Sequence, residues 1–167
     1  AGARVILESR QGLSYARIGA IENTKSANLC FVDDDNEPFP GYLKAATAIL
    51  RAYPCIGVIG PGRVVVNYLG LVSDGFAQQH SHHFQQRDYP NLAYGCVAGT
   101  WTEYYPPGSC MVVRREVLTR YREENLAGRL RAQHRVGGKL SSGGDTQIVW
   151  EAVKMGFAAG ISPELQL

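Results

Sequence analysis

The sequence predicts an α/β fold with a parallel or mixed sheet. Short apolar runs bounded by turn residues have the character of buried strands at residues 4–8, 29–32 and 56–59. Stretches with helical spacing of apolar residues separate these runs, at residues 12–25 and 41–53. Because strand and helix alternate, we expect right-handed βαβ units with helices packed against the sheet.

The second predicted helix carries the clearest amphipathic pattern. Its apolar residues recur at the spacing of one helix face, at Leu43, Ala46, Ile49 and Leu50. Pro54 ends the helix because the residue before a proline disfavours the helical backbone. The next strand is therefore expected to begin directly afterwards.

The middle of the chain is less regular. Residues 63–72 are expected to form β structure, whereas residues 74–102 lack clear periodicity and are interpreted as a long loop that could act as a lid. This loop holds His80, His82 and His83, but no Cys or carboxylate stands at ligand spacing from them. We therefore favour a polar surface loop over a metal site for these histidines.

The last third of the chain resumes the alternation. A strand is predicted at residues 109–113, an amphipathic helix at 114–124 and a flexible loop rich in Gly and Ser at 128–144. Asp145 begins the next helix, and Gly156 caps its C-terminus. A further strand starts where the sequence stops.

The composition describes one globular domain over residues 1–167, with 45% hydrophobic and 19% charged residues. A net charge of +2 without a Lys/Arg stripe argues against nucleic acid as a partner. No apolar run reaches the about 18 residues of a membrane span. The four cysteines match no zinc or redox spacing, so we expect reduced thiols and a cytoplasmic location, with membrane-surface attachment through other segments as a second possibility.

The most informative motif is the acidic turn Asp33-Asp34-Asp35, which closes the predicted strand at residues 29–32. Like charges this close repel unless a cation neutralises them, and hard divalent ions prefer carboxylate oxygen. A metal that holds a phosphate is therefore favoured over a solvated acidic turn. An EF-hand calcium loop is excluded because Pro38 stands where that loop needs glycine.

Asp145 follows two glycines at the start of a predicted helix. Aspartate is a preferred N-cap residue, so capping alone would explain this position. The alternative is a carboxylate that faces a cavity next to the acidic turn. The residues themselves leave both explanations open.

Four segments in this order resemble the GT-A glycosyltransferases of family 2, an inverting family that uses nucleotide-diphosphate sugars. Residues 12–17 (GLSYAR) resemble the family's Gly-x-x-x-Ala-Arg-Asn segment, and residues 31–35 (FVDDD) resemble its Asp-x-Asp motif. Residues 107–115 (PGSCMVVRR) resemble its acceptor-side strand, and residues 144–146 (GDT) resemble its Glu-Asp motif. The resemblance implies a GT-A fold, with a mixed but mostly parallel sheet flanked by helices.

The resemblance also implies roles for individual residues. Asp33 would contact the nucleotide ribose, and Asp35 would coordinate the Mn²⁺ or Mg²⁺ that bridges the diphosphate. Asp34 and Arg17 would also bind the nucleotide sugar. Arg17 could meet a phosphate, although a surface arginine on a helix would explain this residue equally well. Asp145 would be the general base that deprotonates the acceptor hydroxyl, so that a single displacement inverts the anomeric centre.

The acceptor side is expected at Gly108 and Ser109, where a saccharide, a lipid-linked molecule or another hydroxyl compound would bind. Trp101 precedes this segment, and an aromatic face beside a polar cleft suits the apolar surface of a sugar ring. Trp101 and its neighbours Tyr104 and Tyr105 could equally be core or loop-anchoring aromatics.

Two positions depart from the family pattern: Ile18 stands where Asn is usual, and Gly144 stands where Glu is usual. Relatives also begin with two strands before the one predicted at residues 4–8. We therefore expect a partial domain that lacks its first strands and C-terminal part, with exposed sheet edges and possible homo-oligomers. These departures motivate the alternative function, a non-catalytic sugar-nucleotide or glycan-binding module on the same fold.

Overall fold

The computed structural model describes residues 2–68, 70, 73–129 and 143–167, and in this part the chain has an α/β fold. The strands are β1 (Asn28–Phe31), β2 (Ile56–Val64), β3 (Arg87–Asp88), β4 (Ala93–Gly95), β5 (Met111–Arg114) and β6 (Ala158–Gln166). The helices are α1 (Leu13–Glu22), α2 (Tyr42–Ala52), α3 (Asp74–His80), α4 (Arg115–Leu126) and α5 (Gly144–Lys154), with a 3₁₀ turn at Ser81–Phe84.

The strands form one mixed sheet in the order β1-β5-β2-β6-β4, with β3 paired to the end of β2. A mixed sheet was expected, but the expectation that it is mostly parallel is wrong for the described residues. Only β2 and β6 pair in parallel, while the other four pairings are antiparallel. The physical reason is the direction of β5. β1 and β2 run in the same direction, and β5 lies between them in the opposite direction, so it is antiparallel to both.

The pairing of β1 with β5 places the acidic turn. Phe31 at the end of β1 lies opposite Met111 at the start of β5. Since the strands are antiparallel, the residues that follow β1 and those that precede β5 reach the same edge of the sheet. Asp33 and Ser109 therefore meet there.

The core lies on both faces of the sheet, and side chains of β5 alternate between them. Met111 and Val113 pack with α4 and α5, whereas Val112 packs with α2. All three side chains are buried, with at most 3% of their surface exposed. Alternation of this kind is the period-2 pattern of a strand that is covered on both sides.

The strand predicted at residues 4–8 is wrong. These residues form no strand, and the side chains of Val5 and Leu7 are 94% and 93% exposed. Arg4 donates a hydrogen bond to the carbonyl oxygen of Asn23 at the end of α1. A strand needs the backbone groups of a partner, and none of the described residues pairs with this segment.

The middle of the chain is more ordered than predicted. β2 continues through Pro61 to Val64, and its pairing with β5 covers only Val58 and Ile59. Pro61 is tolerated because it lies beyond Met111, the first residue of β5, so its missing N–H interrupts no bond to that strand. Residues 65–68 are not a strand, and positions 69, 71 and 72 lie outside the described residues.

The stretch at residues 74–102 is not structureless. It contains α3, the 3₁₀ turn, β3 and β4, and β4 pairs with β6. Of the flexible loop predicted at residues 128–144, positions 130–142 lie outside the described residues. The helices in the described part are all too short or too polar to cross a membrane.

Candidate active site

The acidic turn follows β1 directly, and all three of its carboxylate residues are exposed. The backbone N–H of Asn36 donates to the carbonyl oxygen of Asp33 at 3.2 Å, which closes the turn. The hydroxyl of Ser109 donates to Oδ2 of Asp33 at 2.7 Å. This bond joins the acidic turn to the segment that precedes β5.

A cavity of about 1070 Å³ opens at this edge of the sheet. Asp33, Asp35 and Ser109 line it, whereas Asp34 does not. The lining also includes His83 and the half-exposed ring of Phe84. The cavity therefore combines an acidic wall with aromatic and imidazole groups.

The oxygen atoms on the acidic wall fit a hard divalent cation. Besides the carboxylates of Asp33 and Asp35, the wall includes the side-chain oxygen Oδ1 of Asn36, which is buried without a hydrogen-bond partner. Carboxylate and amide oxygens are ligands that Mg²⁺ and Mn²⁺ accept. In the described residues, no group of three or more His, Cys, Asp and Glu side chains is close enough to hold a metal.

The segment at residues 106–110 forms the rim between the cavity and α5. Cys110 has a φ of 56°, a left-handed conformation that is uncommon for a residue other than glycine. The hydroxyl of the buried Tyr42 donates to the carbonyl oxygen of Cys110 at 2.6 Å and holds this conformation in place. Strained backbone of this type is often found at functional sites.

Asp145 lies in the first turn of α5 but is not the N-cap residue. Gly143 occupies the cap position, and no side chain caps the helix there. The Asp145 carboxylate instead accepts two backbone N–H groups, from Gly108 to Oδ2 at 3.0 Å and from Thr146 to Oδ1 at 2.9 Å. The first of these bonds leads away from the helix to the rim, so capping does not account for this side chain.

Arg17 lies behind the same rim. Its side chain is 5% exposed, and its guanidinium lies over the ring of Phe31 at 5.5 Å from the centroid. It does not line the cavity. Its predicted contact with the nucleotide sugar stays a prediction.

Trp101 is 44% exposed and does not line the cavity. Its ring packs edge-on against Tyr105 at a centroid distance of 5.5 Å, and the hydroxyl of the buried Tyr105 donates to the carbonyl oxygen of Val97 at 2.8 Å. Tyr105 therefore anchors the loop, which is one of the two roles that the sequence left open for these aromatic residues. The role of Trp101 toward a sugar stays a prediction.

Sequence reasoning missed Asn36, His83 and Phe84 as residues that line the cavity. Asn36 could have been found, since it follows the acidic turn and has an oxygen ligand to offer. His83 was assigned to a polar surface loop and Phe84 carried no signal, because only the fold brings this segment to the cavity.

Comparison with known proteins shows one match. The family model described as Glycosyl transferase family 2 matches residues 1–122, well over half of the chain. This range includes the acidic turn, Arg17, Trp101 and the rim, whereas Asp145 lies beyond it. The chain has no match among curated proteins or solved structures.

Proposed function

The chain belongs to glycosyl transferase family 2, and from that premise we propose that it moves a sugar from a nucleotide-diphosphate sugar to an acceptor hydroxyl with inversion. The observation that carries the proposal lies at two consecutive residues of the rim. Ser109 donates a hydrogen bond to Asp33 in the acidic cavity, and Gly108 donates one to Asp145. The rim thus joins the proposed donor site to the proposed base.

The donor diphosphate and its metal are assigned to the acidic wall. Asp35 would coordinate Mn²⁺ or Mg²⁺, Asp33 would contact the ribose, and Asp34 would bind the nucleotide sugar as well. Asp33 and Asp35 line the cavity, which supports this assignment, while Asp34 is exposed on the same turn. The bound metal would offset the charge of the leaving diphosphate.

Asp145 is assigned as the general base. One of its oxygens takes the proton from the acceptor hydroxyl, the acceptor oxygen bonds to the anomeric carbon, and the bond from that carbon to the phosphate oxygen breaks. The electron pair of the broken bond leaves with the nucleoside diphosphate. Inversion requires the base and the leaving group on opposite faces of the sugar ring, and the bonds of Asp145 and Asp33 to two different residues of the rim support separate positions for the two groups.

Acceptor binding is assigned to Gly108 and Ser109, with Trp101 as a platform for a sugar ring. Saccharides, lipid-linked molecules and other hydroxyl compounds remain candidates for the acceptor. The cysteines Cys30, Cys55, Cys96 and Cys110 are free thiols, which supports the proposed cytoplasmic location.

A panel of nucleotide sugars tests this function. The longest available chain that contains residues 1–167 is incubated with each donor and a mixture of hydroxyl acceptors, with Mn²⁺ or with a chelator. We expect release of the nucleoside diphosphate only with the metal and the correct donor. Binding of donor without any release would instead favour the non-catalytic module, for which Gly144 at the usual Glu position is the specific observation.

A further inference from the structure

We propose that Arg17 is a positioning residue that holds the Asp145 carboxylate in place for proton transfer, across a gap that exists because residue 108 is glycine. The inference rests on the proposed role of Asp145 as the base. It differs from the predicted contact of Arg17 with the nucleotide sugar, and the two roles are distinguishable.

The guanidinium of Arg17 is buried, and no described residue neutralises it in an ion pair. The side chain is 5% exposed, and among the described residues Nε and Nη1 have no hydrogen-bond partner. No carboxylate within the described ranges lies within ion-pair distance of it. A buried charge without compensation is unfavourable, so this position calls for a nearby anion.

The geometry at Gly108 identifies Asp145 as that anion. A Cβ atom at position 108 would lie 3.2 Å from Nη2 of Arg17, 3.2 Å from Oδ2 of Asp145 and 3.0 Å from Cβ of Asp145. The two charged groups therefore face each other over the same glycine, and a side chain there would push between them. Because Nη2 of Arg17 and Oδ2 of Asp145 each lie 3.2 Å from the same point, the two opposite charges attract each other without forming a direct bond.

The other groups beside Arg17 are neutral. Burial raises the pKa of Tyr121, and the charge of Arg17 only partly opposes that rise, so the phenol supplies no negative charge at neutral pH. The ring of Phe31 contributes a cation–π contact. These groups hold the guanidinium in place while leaving its charge to act on Asp145.

Each oxygen of the Asp145 carboxylate accepts one backbone N–H. The charge of Arg17 adds an attraction that favours the carboxylate orientation in which Oδ2 faces the gap at Gly108. Removing that charge leaves the carboxylate freer to rotate about its side-chain torsions. A displacement of about 1 Å in a catalytic group can lower the rate by about 10²-fold. Since Arg17 does not line the cavity, the donor affinity is not expected to change.

The test compares Arg17→Met with Arg17→Lys, Asp145→Asn and the double variant Arg17→Met/Asp145→Asn in a transfer assay at saturating donor. Arg10→Met is the matched control, because Arg10 is exposed and pairs with Glu8 away from the rim. We expect Arg17→Met to lower kcat by about 10²-fold, with unchanged donor affinity, and Arg17→Lys to recover part of the rate. In the double variant, Arg17→Met should add no further loss to that of Asp145→Asn.

Weakened donor binding with an unchanged kcat would overturn the inference in favour of the nucleotide contact. Additive losses in the double variant would also overturn it, because independent sites add. A normal rate for Asp145→Asn alone would instead show that the proposed base is wrong. If Arg17→Met does not fold, Gly108→Ala is the second variant: it must lower kcat by displacing the two groups, and an unchanged kcat would contradict the proposal.

Discussion

Asp145 illustrates how a single residue can be assigned from contacts that its sequence context conceals. Its position at a helix start is typical of a capping residue, yet Gly143 is the N-cap and the Asp145 carboxylate contacts Gly108. Helix capping is a local property, whereas the contact with Gly108 joins residues 37 positions apart. Sequence reasoning could therefore state both roles but not choose between them.

Asp145→Asn should abolish most transfer while leaving the fold intact. Asparagine keeps an oxygen that can accept the Gly108 N–H but cannot take a proton from the acceptor, so we expect a loss of about 10²- to 10⁴-fold in rate. The melting temperature should hardly move, because Asp145 does not cap α5. Rate and thermal unfolding are measured beside Asp88→Asn, an exposed control on β3. Transfer at the normal rate in Asp145→Asn would place the base elsewhere.

At the scale of elements, α1, α2, α4, α5 and β1 were predictable because their patterns are local, whereas α3 lies in a stretch that was expected to be a loop. Apolar spacing indicated α2, and turn residues bounded β1. The direction of β5 and the absence of a strand at residues 4–8 were not predictable, because both depend on which segments pair across the sheet. Pairing is a property of distant residues, and no single segment encodes it.

Gly60 in β2 is predicted to be essential for the position of the rim. A Cβ atom at residue 60 would lie 2.4 Å from Cβ of Pro106, so Gly60→Ala must push the rim away from the sheet. We expect a destabilisation of about 1–3 kcal/mol in denaturant unfolding and a reduced transfer rate. Gly75→Ala is the control, since a Cβ there meets nothing within 4 Å. Equal stability of the two variants would contradict the packing of Pro106 on Gly60.

The thiols at the junction of β1 and β5 should make the fold sensitive to alkali. Burial, with a smaller effect of the Asp33 charge, raises the pKa of Cys110 from 9.0 to about 11. Burial likewise raises the pKa of Cys30 to about 12. Because the unfolded thiols lose their protons first, this contribution to stability is complete below pH 9.0 and is lost as the pH rises towards 11.

Denaturant unfolding across this pH range measures the effect. Each buried thiol can contribute a slope of up to about 1.4 kcal/mol per pH unit. Cys110→Ala should make the alkaline loss of stability shallower, whereas Cys55→Ala, which removes an exposed thiol, should not. The same slope in both variants would show that other groups cause the alkaline loss.

At the scale of the whole molecule, the described part of the chain has both exposed apolar side chains and an open sheet edge. Val5 and Leu7 are almost fully exposed, Val32 is 49% exposed, and β1 pairs only with β5 among the described residues. Unpaired edges and exposed apolar side chains favour association between chains.

We therefore expect residues 1–167 to self-associate, as sedimentation velocity at several protein concentrations would show. The double variant Val5→Lys/Leu7→Lys should shift the distribution towards monomers by adding charge to the exposed segment. The control Phe76→Lys changes another exposed apolar side chain, in α3. A monomer at all concentrations before substitution would contradict this expectation.

The proposed function requires that the acidic wall of the cavity binds a metal–diphosphate complex. Calorimetry of UDP and GDP with Mn²⁺ tests it most directly, in the unchanged protein and in Asp35→Ala and Glu37→Ala, since both carboxylates line the cavity. We expect metal-dependent binding that is lost in Asp35→Ala, because that change removes both a ligand and a charge. Binding should be largely kept in Glu37→Ala, and the circular dichroism spectrum should be unchanged in both variants. Equal affinities of the unchanged protein and Asp35→Ala would contradict this expectation.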